Sequence, residues 1–267
     1  MVNILKANGI KEPFSEEKLR YSIERAGIPL NLRDKVLSHV QSKLYENIPS
    51  QEVYRHVTEF LQTAPHPAAA KYRLKQALME LGPTGYPFED FVTEILKSIG
   101  YSTQTRKVLM GKCVSHEIDV IAQKDNAKIM VEAKYHNAPG IHTDVHVSLY
   151  TKARFDDLKE KYQFTQPWLF TNTKITPDAL AYALCVGMGV TSWSYPQNES
   201  LRDLVERHQL YPITLLSSLS EPQKQTLLDN HIVLVGEILH SENSLDLLGL
   251  QNDKKQTIID EAKSISG

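Results

Sequence analysis

Cysteine is nearly absent. The 267 residues hold two, Cys113 and Cys185, far apart and with no CxxC. That excludes a multi-cysteine zinc site and argues against a disulfide framework, so both read as packed thiols. No apolar run approaches the roughly 18 residues needed to cross a bilayer. The opening stretch Met1–Phe14 lacks the apolar core of a secretory signal. A cytoplasmic protein with no membrane partner is the expectation. There is no excess of one charge: 30 Lys and Arg face 32 Asp and Glu, a formal net charge of −2. This counts against a surface coated for non-specific nucleic-acid binding but leaves room for a local basic groove. No GxxxxGK[ST] loop occurs, so nucleotide hydrolysis is not expected. Repeats and low-complexity tracts are also missing. What remains, 41% apolar and 23% charged residues, suits ordinary globular domains, two by length with room for a small third.

The first eighty residues read as mostly helical. Val2–Lys6 and Ile10–Phe14 flank Asn8-Gly9, a strong hairpin turn signal. Ser15 follows as an N-cap, with Glu16 and Glu17 in the first turn, where acids favour the helix dipole. Leu19, Ile23 and Ala26 keep helical spacing and Gly27 stops the helix. A second helix is expected from near Asn31 to Tyr45. Ile48-Pro49-Ser50 reads as a turn and cap, a third helix carries Val53, Val57, Phe60 and Leu61, and after the Pro65-His66-Pro67 break a fourth runs from Ala68 to Leu81. Gly82-Pro83-Thr84-Gly85 is a breaker cluster and the expected domain boundary. Beyond it, a helix over Phe88–Ile99 leads into strands at Tyr101–Val108, Glu117–Ala122, Ile129–Tyr135, Pro167–Thr171 and Val190–Tyr195. Helices at Asp144–Tyr162 and Pro177–Gly187 alternate with them. That alternation predicts an α/β core with a mixed sheet flanked by helices. From Leu201 the chain turns helical again, in short amphipathic units. Three parts are expected: 1–82, 83–200 and 201–267.

The chemistry centres on Glu117-Ile-Asp119-Val-Ile121 followed by Ile129-Met-Val-Glu132-Ala-Lys134, a β-hairpin across the polar stretch Gln123–Lys128. Side chains two apart on a strand share a face, so Glu132 and Lys134 point together, and a partner strand brings Asp119 beside them. Two carboxylates suit a hard cation, which polarises a phosphate and activates water; a neighbouring lysine stabilises the building charge. The pattern [DE]-x-K alone is weak. It occurs five times, at Glu16, Glu132, Asp157, Asp253 and Glu261, and only Glu132 ends an apolar strand. The other four read as solvated helix faces. An acid that interrupts an apolar strand is costly to bury without a partner, which favours a functional reading for Asp119 and Glu132.

Gly85-Tyr-Pro-Phe-Glu89, Gly100-Tyr101, His116-Glu-Ile-Asp119-Val120 and Val131-Glu-Ala-Lys134 together resemble the Mrr-type branch of the PD-(D/E)xK restriction endonucleases. The resemblance runs from about Gly85 to Pro196 and includes Trp168-Leu-Phe-Thr-Asn172. It implies a restriction-endonuclease-like fold cutting DNA with Mg²⁺ or Mn²⁺. It implies Asp119 and Glu132 as metal ligands and Lys134 as catalytic lysine, with Glu89 completing the site from the first helix of the core. Many Mrr-like members carry Gln where Glu132 stands. Tyr135, His136 and Asn137 are further candidates to contact DNA, and Arg154 to contact a phosphate. His116 precedes the acids. His142, Asp144 and His146 read as loop and helix-start residues rather than a second metal site.

Residues 3–81 resemble an ATP-cone, a regulatory nucleotide-binding domain. The resemblance rests on Ile4-Leu-Lys6-x-x-Gly9, Pro13-Phe14, Lys18-Leu19, Ile48-Pro-Ser50 and Ala70-Lys-Tyr-Arg73. It departs from the family pattern at Ala7 and Asn8. Lys6 and Lys18 are the expected phosphate ligands, at a helix start that offers backbone N–H groups. Glu12 and Ser50 are expected at base or ribose, with Lys71, Arg73 and Lys75 closing the site. ATP or dATP is expected as an effector. In the tail, Leu227–Ile232 with Val235–Leu239, then Leu247–Leu250, resembles helix-hairpin-helix repeats, but its acids outweigh its lysines, and a packing or dimerisation role reads equally well. Together these readings predict a nucleotide-regulated, metal-dependent DNA endonuclease that forms a homo-oligomer. The alternative is a nucleotide-sensing DNA-binding regulator with an inactive nuclease core.

Overall fold

A computed structural model describes residues 2–7, 9–26, 28–62 and 67–266. The chain divides into two compact units, one through Leu74 and one spanning Lys75–Ser266.

In the first unit, β1 (Asn3–Leu5) and β2 (Lys11–Pro13) form an antiparallel hairpin. Gly9 turns it at φ +80, a conformation glycine adopts without a Cβ penalty. Ser15 caps α1 (Glu16–Arg25), its side chain accepting from the Lys18 backbone N–H. Gly27 lies outside the described residues. Helix α2 covers Leu30–Gln41 and ends four residues short of Tyr45. Ile48–Pro49 is not a turn: it is a short strand, β3, parallel to β1, with Ile48 fully buried. Helix α3 (Ser50–Gln62) buries Val53, Val57 and Leu61 at helical spacing against Ile23, Val36 and Val40. The Pro65-His66 break lies outside the described residues. Helix α4 spans Pro67–Met79.

The unit boundary falls within α4, upstream of Gly82–Gly85. Backbone carbonyls at the end of α4 explain why. Ala77 accepts from the Thr214 hydroxyl, Leu78 from the Asn172 amide and Met79 from the Tyr135 hydroxyl. All three donors belong to the second unit.

That unit begins with α5 (Tyr86–Ser98), which starts with proline in its first turn and buries Phe88, Phe91, Val92, Ile95 and Leu96 completely. Each such side chain contributes about 1.5–3 kcal/mol of hydrophobic stabilisation. Gly100 at φ +92 ends the helix, and Tyr101 N–H returns to the Leu96 carbonyl. Strands β4 (Ser102–Met110), β5 (Ser115–Lys124) and β6 (Ala127–Lys134) form an antiparallel meander. Two residues of β7 (His142–Thr143) precede α6 (Val145–Tyr162). Strand β8 (Gln166–Thr171) then pairs parallel to β6, the crossover that a parallel pair requires. A second crossover through β9 (Lys174–Ile175) and α7 (Pro177–Cys185) places β10 (Gly189–Thr191) parallel to β8. The mixed sheet has the order β10-β8-β6-β5-β4, and α6 packs Phe155 and Leu158 on Ile118, Ile121 and Met130. The pairing of β7 with β9 has no sequence signal, because two-residue strands carry no periodicity. After β10 come α8 (Leu201–His208), α9 (Glu221–Asp229), α10 (Val235–His240) and α11 (Asn252–Ser266), with two 3₁₀ turns among them. Both cysteines are exposed, not packed: Cys113 lies in the β4–β5 turn and Cys185 is the last residue of α7.

Two of the [DE]-x-K acids read as solvated are structural instead. Glu261 accepts from the backbone N–H groups of Ser217 and Ser218. Asp157 on α6 clamps the β4–β5 turn: it accepts from Cys113 N–H at 2.8 Å, Val114 N–H at 3.3 Å and His116 Nε2 at 2.8 Å. These donors, His116 first, hold its carboxyl down to about 2. A Cβ at Gly111 would stand 2.1 Å from Asp157 Oδ2, so a side chain there collides with the clamp.

A depressed carboxyl stabilises the fold above its unfolded value near 4 and loses that contribution as pH falls toward 2. Asp157→Asn is therefore expected to lower the thermal midpoint at pH 7, with the gap to wild type closing as pH falls from about 4 to 2. Melting curves by circular dichroism across that window check this; equal midpoints at pH 7 would contradict it.

Candidate active site

The β5–β6 ladder runs from Lys124↔Ala127 to Val120↔Val131 and stops. At the next position Asp119 Oδ2 accepts from Ala133 N–H at 2.8 Å. A carboxylate thus replaces the strand carbonyl where the strands part, and Asp119 stands across from Glu132 in the continued register. Lys134, two residues past Glu132, shares its strand face and ends β6 beside Thr171 of β8. From α6, Arg154 Nη1 donates to Glu132 Oε2, with its guanidinium 5.0 Å from the Tyr150 ring centroid. Arg154 is 6% exposed, and its Nε has no hydrogen-bond partner among the described residues. From the first turn of α5, Glu89 accepts from Arg106 Nη1 at 3.2 Å.

Burial dominates the electrostatics. Glu132 is pushed up to about 7, first by burial and then by the Asp119 charge; Arg154 and Lys134 oppose this and lose. Glu89 also rises to about 7, by burial and then by Asp119, against Arg106. Asp119 itself is raised by burial, with the Ala133 N–H as the main opposing influence. One carboxylate raises both of the others, so Glu89, Asp119 and Glu132 share one electrostatic neighbourhood. All the donors are carboxylate oxygens, the chemistry of a hard divalent cation. Among the described residues no three His, Cys, Asp or Glu side chains already surround one point.

Other residues singled out from sequence have different places. The Tyr135 hydroxyl donates to the carbonyls of Met79 and Gly82, and burial pushes it up to about 12. The His136 backbone is held on both sides by Asn172, at 2.9 and 2.7 Å, while its Nε2 meets Thr143 Oγ1 at 3.2 Å. Asn137 is exposed. His116 belongs to the Asp157 clamp. Asp144 caps α6 by accepting from His146 N–H at 3.0 Å.

In the first unit, Glu12 on the hairpin bridges Lys6 at 2.8 Å and Lys18 at 3.3 Å, and Lys6 chiefly holds its carboxyl down. The hairpin and the start of α1 thus bring these three together. Ser50 opens α3 and Arg73 lies on α4; the Lys71 side chain and Asn8 lie outside the described residues. Lys75 falls in the second unit, 5.8 Å from the Trp193 ring centroid, where burial pushes its amine down.

Sequence reasoning missed Arg106. It sits at φ +51 within β4, opposite Asp119 and between the pairs Thr105↔Val120 and Lys107↔Ile118. A non-glycine residue in the left-handed region costs about 1–3 kcal/mol. Besides Glu89 it donates to Asp90 Oδ1 at 2.7 Å. Nothing in the local pattern Thr105-Arg106-Lys107 marks it, because its partners lie on α5 and its backbone sits at a break in the β4–β5 ladder.

Family models match in chain order. The ATP cone domain matches residues 2–76, a restriction endonuclease domain of Mrr type matches 82–195, and a domain described as AF1548-like, C-terminal, matches 211–266. Over 176 residues, 66% of this chain and 100% of the relative, the sequence is 39% identical to an uncharacterized protein of Archaeoglobus fulgidus. The crystal structure of a protein of unknown function, AF1548, aligns with a TM-score of 0.61 at 38% identity, covering 69% of this chain and 99% of that one. With a relative matched over its whole length, a Mrr-type endonuclease domain and a C-terminal domain of the same description, the chain belongs to the AF1548-like family and carries an ATP cone ahead of its restriction-endonuclease-like core.

Proposed function

We propose that the protein is a metal-dependent DNA endonuclease whose activity is regulated by ATP or dATP bound at the cone. The observation that carries this reading is the Asp119–Ala133 hydrogen bond, which sets a half-buried acid across from Glu132 and beside the strand that bears Lys134. Bound at these carboxylates, Mg²⁺ or Mn²⁺ supplies charge neutralisation at the scissile phosphate and an acidified water. Asp119 and Glu132 are the proposed ligands, with Glu89 completing the set. Lys134 Nζ orients the water and faces the charge that builds on the phosphate. Arg154 holds Glu132 in an ion pair and is the proposed contact to a phosphate oxygen. The division into cone, nuclease core and C-terminal region, at 1–82, 83–200 and 201–267, is the proposed division of labour.

Plasmid cleavage in Mg²⁺ or Mn²⁺ tests the reading. Lys134→Ala is expected to slow cutting by about 10²–10³-fold, the usual cost of removing one preorganised charge stabiliser. Equal nicking by variant and wild type would sink the nuclease reading and leave a nucleotide-sensing DNA-binding protein.

At the cone, Lys6 and Lys18 are the proposed triphosphate ligands, both paired with Glu12, with Glu12 and Ser50 at the base or ribose and Arg73 closing the site from α4. Lys6→Ala and Lys18→Ala are each expected to weaken ATP or dATP binding about tenfold, the value of one charge-assisted contact. Calorimetric titration measures this; unchanged affinity in the double variant would remove these lysines from the site.

A further inference from the structure

We propose that the C-terminal region positions the nuclease site through His231, which anchors Asp90 and, through Arg106, sets the place of Glu89. The inference rests on the nuclease reading above. Three contacts form an unbroken chain. His231 Nδ1 donates to Asp90 Oδ2 at 2.8 Å, Arg106 Nη2 donates to Asp90 Oδ1 at 2.7 Å, and Arg106 Nη1 donates to Glu89 Oε2 at 3.2 Å. Glu89 and Asp90 are consecutive on α5, so their side chains leave the helix in different directions. A single planar guanidinium spans both, which the point charge of a lysine cannot do.

One backbone observation supports a positioning role. Arg106 is a non-glycine residue at φ +51 within a strand, a conformation that persists only where its surroundings hold it. His231 at φ +61 closes α9, its N–H meeting the Leu228 carbonyl and the Ile232 N–H meeting the Leu227 carbonyl, an ordinary helix ending from which the imidazole reaches Asp90. The Arg106 contacts are not exposed ion pairs of small value: Asp90 and Glu89 side chains are 13% and 12% exposed and Arg106 is 23% exposed, while the His231 imidazole, 69% exposed, reaches Asp90 from the solvent side.

The relay also has room around it. Asp90, Arg106 and His231 line a cavity of about 440 Å³ with Thr93 and Lys97. Removing the imidazole therefore opens no hole in the apolar core. Thr214, donating to the Ala77 carbonyl, ties the C-terminal region to the core independently. The His231 contact can thus be deleted while the attachment stays.

Mn²⁺ binding to the full-length chain, measured by isothermal titration calorimetry, tests the relay without relying on turnover. Glycine accepts the backbone of residue 231 without strain, so His231→Gly removes the imidazole alone. It is expected to weaken Mn²⁺ binding a few-fold, and Arg106→Ala by about 10- to 100-fold, the usual cost of losing a group that orients a metal ligand. Arg106→Lys should fail to restore affinity, and adding Arg106→Ala to Glu89→Gln should weaken binding no further than Glu89→Gln alone. The thermal midpoint of His231→Gly, expected to match wild type, separates positioning from folding, and this variant decides the matter if Arg106→Ala does not fold. Wild-type Mn²⁺ affinity in His231→Gly would overturn the relay. A wild-type chain that binds no Mn²⁺ would overturn the metal-dependent reading itself, and this inference with it.

Discussion

Strands β5 and β6 part at Asp119, and most of the candidate site follows from how that parting is satisfied. An interrupted ladder leaves a backbone N–H without its carbonyl, which is costly in a half-buried position. The Asp119 carboxylate supplies the missing acceptor to Ala133. In doing so it becomes a fixed negative charge beside Glu132 and within electrostatic reach of Glu89. Glu132 and Glu89 then need compensation, and each meets one arginine. Arg154 comes from α6, and Arg106 is aimed at α5 from the neighbouring strand.

The compensation is incomplete, and that is its chemical interest. A carboxylate paired with arginine ordinarily sits low on the pH scale. Here Glu132 and Glu89 rise to about 7 despite their arginines, because burial and mutual repulsion outweigh the ion pairs. Carboxylate oxygens are the donor type that a hard divalent cation takes. Strong pKa perturbation by burial together with specific charges is also a property of functional sites more than of purely structural ion pairs. In the Asp157 clamp the balance is reversed. Three donors converge on one carboxylate, outweigh its burial, and hold the group down to about 2 in an architectural role.

Much of the architecture was legible locally. Alternating strands and helices after Gly85 announced the mixed sheet, and Asn8-Gly9 and Ser15 announced a hairpin and a cap; the backbone of Gly9 and the capping contact of Ser15 have the expected geometry. The two-residue spacing of Glu132 and Lys134 announced a shared strand face. Other features escaped because no local pattern encodes them. Ile48–Pro49 becomes a strand only by pairing with β1. Asp157 and Glu261 look like any helix acid until their backbone donors arrive from more than forty residues away. Arg106 carries no mark of its left-handed backbone.

The sequence by itself determined the periods, the breaks and the order of the elements, because hydrophobic spacing, glycine and proline act over a few residues. It also determined the residue types at the hairpin, since an acid ending an apolar strand is a local anomaly. The tertiary structure alone decided which charges meet. Arg154 on Glu132, Arg106 between Glu89 and Asp90, and His231 behind Asp90 each join residues 16 to 141 positions apart. Chain connectivity cannot foretell contacts at such separations, because they exist only once the sheet has stacked its helices and burial has made every unpaired charge costly.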